Sequence, residues 1–268
     1  MQKLQGRVAV VTGAGSGIGR AAAQSLARRG VSVVCADQNL LTAEETSNVI
    51  SLEGGKGLAI ACDVSDADTF PQLREAALSA FGRIDIIMNN VGMIVRGFPE
   101  QIPIEIWEKV FAVNFLSYIR SNQVFVPYLI EQGEGHIVNT ASFAGLFTYS
   151  FDRVPYAATK AAIVQLSEAL AIYLRPLGVG VTLLCPGPVA TNIGQSIINL
   201  ENAPPLRSPG QAFDLLSPEK VGEQVVGAIQ EDRFMLATDD KVFEALMSRV
   251  DDWDAFIASQ IETSDIRK

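Results

Sequence analysis

One histidine and three cysteines in 268 residues leave little to bind a transition metal. A catalytic zinc needs three protein ligands in close array, and His136 has no second histidine or cysteine cluster near it in the chain. Cys35, Cys62 and Cys185 are an odd number without ligand spacing, each in or at the end of an apolar run, so they read as small core residues. His136, at the head of the strand-like run His136 to Thr140, is expected to be structural. Basic clusters are also missing. With 21 Lys and Arg against 30 Asp and Glu, the net charge of −9 would repel a phosphate backbone, which argues against a nucleic-acid partner. No apolar run approaches the roughly eighteen residues of a membrane span, and none is expected. The first strand is reached by Arg7, leaving no room for a signal peptide, so a cytoplasmic protein is the expectation. Internal repeats and low-complexity tracts are absent from the sequence.

What is present is a regular alternation. Apolar strands near Arg7, Val31, Leu58, Ile84, His136 and Val179 are separated by stretches with helical spacing, and 48% hydrophobic content can fill a large core. That pattern predicts an α/β fold, one doubly wound parallel sheet covered on both faces, as a single domain over 1–268. Ligands of such sheets bind outside the carboxyl ends of the strands, where the informative residues of this chain fall.

The strand Arg7 to Thr12 runs into Gly13-Ala-Gly-Ser-Gly-Ile-Gly19 and then a helical stretch Arg20 to Arg29. Glycines let the backbone turn sharply and approach a pyrophosphate, whose charge sits against free N–H groups at a helix N-terminus. The apolar run Val31 to Ala36 ends at Asp37, an acid placed to accept from both ribose hydroxyls and to repel a 2′-phosphate. Neither the glycine loop nor the residues just after Asp37 offer a cation, which favours NAD over NADP. Further along, Tyr156 and Lys160 lie four positions apart, on one helix face, with Ser142 fourteen positions upstream of the tyrosine. An ammonium about 4 Å from the phenol at an effective dielectric near 20 would contribute about 4 kcal/mol, enough to bring a tyrosine pKa toward neutrality.

From about Leu4 to Thr191 the chain resembles the short-chain dehydrogenase/reductase family. The loop Thr12-Gly-Ala-Gly-Ser-Gly-Ile-Gly19 is similar to the family's T-G-x-x-x-G-I-G, Asp63-Val64 to its adenine-holding pair, and Asn89-Asn-Val-Gly92 to its N-N-A-G turn. Asn114, Ser142, Tyr156 and Lys160 match its catalytic tetrad, and Pro186-Gly-Pro-Val-Ala-Thr191 its segment over the nicotinamide. The resemblance implies a Rossmann-type domain with NAD as cofactor, held by Gly13, Ser16, Gly17, Ile18, Gly19, Asp37, Asp63, Val64, Asn90, Val91, Gly92, Tyr156, Lys160, Pro186, Gly187, Val189 and Thr191. It implies that Tyr156 takes the hydroxyl proton of a secondary alcohol, Lys160 holds the ribose and lowers the tyrosine pKa, Ser142 bonds the substrate oxygen, and Asn114 holds a water linked to Lys160. It also implies a homodimer or homotetramer built from the helix of Tyr156 to Leu174 and the one around Trp107 to Pro127.

Two features depart from the family pattern. The Ser142 to Tyr156 interval is one residue longer than usual, which places an insertion in Phe143 to Pro155, beside the substrate. The common Asp-Gly-Gly ending is replaced by a last strand, Phe234 to Ala237, and a helical extension over 238–268. There Val242, Phe243, Leu246, Met247 and Val250 make one stripe, and Trp253, Phe256, Ile257 and Ile261 another after a cap at Asp251 or Asp252. These helices are expected to pack on the body, with cover over the substrate crevice, its own or a neighbouring subunit's, as a second reading. Candidate substrate-wall residues are Met93, Ile94, Val95, Ser142, Phe143, Leu146, Phe147 and Val154, and 192–216 has the Pro and Gly content of a lid, so a hydrophobic alcohol or ketone fits best. Arg96, Arg153 and Arg207 offer charge for a carboxylate or carrier phosphate, although exposed arginines are usually nonspecific. Besides the NAD-dependent alcohol dehydrogenase, the alternatives are an NADP-dependent carbonyl reductase of the 3-oxoacyl carrier type and a non-catalytic NAD-binding module.

Overall fold

The computed structural model describes residues 1–191, 197–201, 203–207, 213–262 and 264. The apolar runs form strands β1 (Val8–Thr12), β2 (Ser32–Asp37), β3 (Lys56–Ala61), β4 (Ile86–Asn89), β6 (Gly135–Thr140), β7 (Val179–Cys185) and β9 (Met235–Ala237). Among the described residues these make one seven-stranded sheet, ordered β3-β2-β1-β4-β6-β7-β9 and parallel throughout. Two shorter strands, β5 (Val95–Arg96) and β8 (Ile198–Asn199), pair with each other apart from it. Val10 stands opposite both Val34 of β2 and Ile87 of β4, so β1 lies where the strand order reverses. Loops leaving β1 and β4 must diverge there, which opens a crevice at the carboxyl ends of the strands.

Both faces of the sheet are buried, as continuous apolar strands require. Ala9 and Val11 of β1 face one way, into a core closed by Leu26 of α1 (Gly17–Ala27) and Val225 and Ile229 of α8 (Pro218–Glu231). Val10 faces the other, against Phe70 and Leu73 of α3 (Thr69–Phe81), Phe125 and Leu129 of α5 (Ser117–Gln132) and Ala171 of α7 (Val154–Leu174). The remaining helices are α2 (Leu40–Leu52), α4 (Ile104–Phe111), the single turn α6 (Phe143–Leu146), α9 (Val242–Asp251) and α10 (Trp253–Glu262).

Several boundaries differ from those expected. Helix α1 begins inside the glycine loop at Gly17, not at Arg20, and stops at Ala27. Strand β4 starts two residues past Ile84, because fully buried Asp85 accepts from the Val8 N–H at 2.9 Å and pairs with Arg7 and Arg83 at the amino end of the sheet. Val154–Leu177, contrary to expectation, is long and apolar enough to cross a membrane by length and composition. Its buried positions, among them Tyr156, Thr159, Lys160, Ile163 and Ser167, recur every three or four residues as one face turned to the protein interior, which accounts for part of that apolar content. The C-terminal extension packs through Val242 and Phe256 and is capped as expected at Asp252, whose side chain accepts from the Ala255 N–H at 2.9 Å. Phe243, Met247, Val250, Trp253, Ile257 and Ile261 remain on the surface, so only part of each stripe faces the body. Of the lid expected over 192–216, residues 192–196, 202 and 208–212 lie outside the described residues.

Candidate active site

The crevice at the carboxyl ends is a cavity of about 680 Å³. Strand ends deliver its walls: Gly13 after β1, Asp37 at the end of β2, Asp63 after β3, Asn90 after β4, Ser142 after β6 and Pro186 after β7. The glycine loop is tight. Gly13 and Gly17 hold φ of +67° and +52°, and a Cβ on Gly19 would sit 2.1 Å from the Gly13 carbonyl oxygen. Ser16 occupies the N-cap of α1 without making a side-chain cap, and Ser16, Gly17 and Ile18 line the cavity. Asp37 braces the loop from the neighbouring strand, accepting from Gly15 N–H at 2.9 Å and Asn39 N–H at 3.0 Å. Asp63 accepts from the Ser65 hydroxyl and N–H, and those two bonds hold its carboxyl below the ordinary range. Asn90 ties β4 to β1: its N–H donates to Thr12 Oγ1 and its amide to the Thr12 carbonyl. A loop that admits no Cβ at Gly19, an uncapped helix start and an acid at the second strand end together fit a dinucleotide.

Helix α7 presents Tyr156 and Lys160, and three polar contacts fix it. The Asn114 amide donates to Thr159 Oγ1 at 3.2 Å, the Lys160 ammonium to the Thr140 carbonyl at 2.7 Å, and the Asn139 amide to Ser167 Oγ at 3.1 Å. Asn114 sits in a wide π turn, Ala112–Leu116, between α4 and α5. Such turns aim a side chain that a regular helix would direct elsewhere. Its amide brackets the Met93 backbone, accepting from the N–H at 2.8 Å and donating to the carbonyl at 3.0 Å. Ser142 caps α6, its hydroxyl accepting from Ala144 N–H at 3.2 Å.

The Tyr156 and Lys160 pair differs from its sequence-based picture. Both line the cavity, but the ammonium lies 5.7 Å from the Tyr156 ring centre and equally far from that of Tyr118. Burial dominates both groups. It pushes the Tyr156 phenol up to about 12, against the opposing hydrogen bond from Ser142 and the Arg153 charge, and pulls the Lys160 ammonium down to about 7. Desolvation, the largest cause in both groups, sets the direction of each shift, which spacing along a helix does not foretell.

The substrate wall is also corrected. Of the residues expected there, Ile94 and Ser142 line the cavity. Met93, Val95, Phe143, Leu146, Phe147 and Val154 do not; of these Val95, on β5 next to Ile94, turns to the opposite side and is fully buried. Phe143 and Phe147 are drawn behind the wall by Phe213, at 5.1 and 6.4 Å between ring centres, and Phe147 meets Phe256 of α10 edge-on at 6.3 Å. Tyr149, Ile197 and Leu206 take those places, with Arg153 and Arg207 beside them. Gly19 is the one expected cofactor residue not on the cavity surface, where it packs under the loop. Its neighbours Gly13, Gly17, Ile18, Asp63, Val64, Val91, Gly92, Gly187, Val189 and Thr191 are all on it.

A family model described as short chain dehydrogenase matches residues 7–202. The chain is 34% identical over 252 residues to 1-deoxy-11-beta-hydroxypentalenate dehydrogenase of Streptomyces exfoliatus, covering 93% of this chain and 89% of that protein. It is 33% identical over 218 residues to 2,5-dichloro-2,5-cyclohexadiene-1,4-diol dehydrogenase of Sphingobium indicum, covering 80% and 87%. Among solved structures, a short chain dehydrogenase/reductase from Burkholderia phymatum in complex with NAD superposes with a TM-score of 0.85 at 33% identity, covering 95% of this chain and 96% of that one.

Proposed function

The chain belongs to the short-chain dehydrogenase/reductase family of oxidoreductases, and on that premise we propose that it is an NAD-dependent dehydrogenase of a hydrophobic secondary alcohol, or the reductase of the matching ketone. The observation that carries the cofactor choice is Asp37, a carboxylate on the cavity wall at the end of β2. Ser16 and Gln38, which flank the same part of the cavity, are neutral, and Arg20 behind the loop is paired with Glu45 at 2.9 Å. A 2′-phosphate brought there would meet an anion without a compensating cation among these residues. The Burkholderia phymatum neighbour, solved with NAD, supports the same choice.

The nicotinamide cofactor, when bound, supplies the hydride acceptor or donor. Residues of this chain do the rest. Gly13, Ser16, Gly17 and Ile18 would hold its phosphates, Asp37 and Lys160 its ribose hydroxyls, Asp63 and Val64 its adenine, and Pro186 to Thr191 its nicotinamide. Tyr156, held protonated by burial, is in the form that donates a proton to a ketone oxygen. For alcohol oxidation the same phenol must first ionise, which the positive charge of the oxidised cofactor favours, joined by that of Lys160 where the ammonium keeps its proton. Ser142 bonds the substrate oxygen as charge develops on it. Asn114 holds the Met93 backbone and α7 in register, and so places Lys160. The wall formed by Ile94, Tyr149, Ile197 and Leu206 suits an apolar body. For assembly, exposed Ile104 of α4, Leu116 of the π turn and Ile172 and Tyr173 of α7 offer the apolar surface of a homodimer or homotetramer. Light scattering on the purified protein tests that assembly.

The decisive experiment for the reaction is a panel of hydrophobic secondary alcohols scored at alkaline pH with NAD and with NADP. Turnover with NAD, lost by about a thousandfold in Tyr156→Phe while NADH still binds, is the expected result. NADH binding without turnover of any panel member would instead make the protein a non-catalytic NAD-binding module.

A further inference from the structure

Beside the reacting tyrosine lies a charged cluster that the hydride-transfer chemistry does not require. Arg96 and Arg153 are 5% and 6% exposed, and both bond to Asp152, itself 1% exposed. Arg96 Nε donates to Oδ2 at 2.5 Å, and Arg153 Nε to Oδ1 at 2.8 Å, where Ser150 Oγ also donates at 2.7 Å. Burial alone would raise Asp152, but the bonds from Arg153 and Ser150 and the two cationic neighbours hold it below the ordinary carboxylate range. Two guanidiniums against one carboxylate leave the cluster one positive charge in excess.

The two arginines differ in what else they touch. Arg96 is consumed by structure: its other nitrogens donate to Asn199 Oδ1 at 2.9 Å and to the Pro204 carbonyl at 2.5 Å. Arg153 lines the cavity, three residues before Tyr156, with its guanidinium 5.4 Å from the Tyr149 ring centre and Nη2 on the Arg207 carbonyl at 2.7 Å. Ile94, Ile197 and Leu206 give the same cavity apolar wall, with Arg207 also on it. A buried excess cation in an apolar lobe is costly unless an anion meets it.

We propose that Arg153 is a specificity residue that binds a carboxylate on the substrate, so that the substrate class is a compact hydrophobic hydroxy acid or keto acid. The inference rests on the reading of this cavity as the site of a secondary alcohol or ketone. Compactness follows from position. The Arg153 guanidinium lies 5.4 Å from the Tyr149 ring centre, and Tyr149 packs in one cluster with Tyr156, so an anion on Arg153 lies near the reacting oxygen. A carboxylate borne on a small ring meets that demand, and a phosphate at the end of a long carrier arm does not.

The test uses the NADH complex, titrated with cyclohexanecarboxylate, cyclohexanecarboxamide and inorganic phosphate and followed by cofactor fluorescence. The carboxylate is expected to bind at least about tenfold more tightly than the amide or phosphate, as for one charge-assisted contact. Arg153→Gln should bring the acid and amide within about twofold of each other, and Arg153→Lys should restore part of the preference. Equal binding of acid and amide, binding of neither, stronger binding of phosphate, or a preference that survives in Arg153→Gln overturns the proposal. Should Arg153→Gln fail to fold, the comparison on the unaltered protein decides by itself. Failure of NADH to bind would instead remove the cofactor reading, and the acid and amide would then be compared by thermal shift of the cofactor-free protein, with the same outcomes deciding.

Discussion

Lys160 should make this protein less stable than it needs to be, and replacing it by methionine should reveal by how much. Its ammonium is 2% exposed and its pKa falls from 10.5 to about 7 through burial. An unfolded chain binds the lysine proton below about pH 10.5, the folded chain only below about 7, so in that interval the unfolded state carries more protons. Stability is therefore lost as pH falls from 10.5 to 7, and the loss is complete below that. At ~1.4 kcal/mol per unit the full penalty is ~5 kcal/mol, of which ~4 is already present at pH 7. Relaxation around a buried charge lowers such figures, and ~2 kcal/mol is a reasonable floor. Methionine matches the length of the lysine stem without the charge. It strands no acceptor, because the Thr140 carbonyl still receives the Tyr118 hydroxyl at 3.0 Å. Urea unfolding of the cofactor-free proteins at pH 6 to 10 should show Lys160→Met ahead by ~2–4 kcal/mol at pH 7, with the gap closing toward pH 10. Its turnover should be nearly lost, an exchange of stability for function often seen at active sites. A gap that does not change with pH, or a parent more stable than the variant at pH 6, would refute the burial argument. A Lys160 variant as active as its parent would refute the lysine's role.

Asp37→Ser should weaken NADH binding about tenfold and narrow the gap to NADPH, since it removes both a ribose acceptor and the charge that opposes a phosphate; paired fluorescence titrations measure it. Gly19→Ala brings a Cβ to 2.1 Å from the Gly13 carbonyl. The loop must shift, so a stability loss of ~2 kcal/mol or more and abolished NADH binding are expected in a melting and titration series. Truncation after Asp240 removes Phe256 from the edge of Phe147 and Arg249 from its bond to the Leu146 carbonyl. The wall behind Tyr149 then loses its backing, which should lower the melting temperature and raise the substrate KM with NADH affinity retained; unchanged values for both would show that the tail does not support the wall.

What was legible in the sequence was whatever local spacing encodes. A buried parallel strand needs a continuous apolar run, and a phosphate loop must follow it at once, so Val8–Thr12 and Gly13 to Gly19 announce each other within a dozen residues. Asp37 and Ser142 were legible because strand ends are. The polar pins of the site were not, since each joins ordinary residues far apart: Asn114 to Met93 across 21 positions, Asn139 to Ser167 across 28, Arg96 to Asp152 across 56. Hydrophobicity alone also misplaced the wall. Phe143 and Phe147 flank the site in sequence, but α6 is one turn long and cannot put every apolar residue on the same side, and Phe213 and Phe256 arrive from distant segments to draw them inward.

The same gap separates the two views of Tyr156. Helical spacing places the lysine beside the tyrosine, and Coulomb's law then argues for an easily ionised phenol. Spacing carries no information about water. Lys160 and Tyr156 are 2% and 7% exposed, so each loses the solvation of its charged form, and that loss sets the direction of both shifts. The phenol therefore awaits added positive charge. On the proposed mechanism oxidised cofactor would bring such charge and reduced cofactor would not, so the proton would be released most readily when hydride is about to be taken and held when it is about to be given. Burial would then match the protonation state of Tyr156 to the direction of reaction, a coupling that an exposed pair at the same spacing would lack.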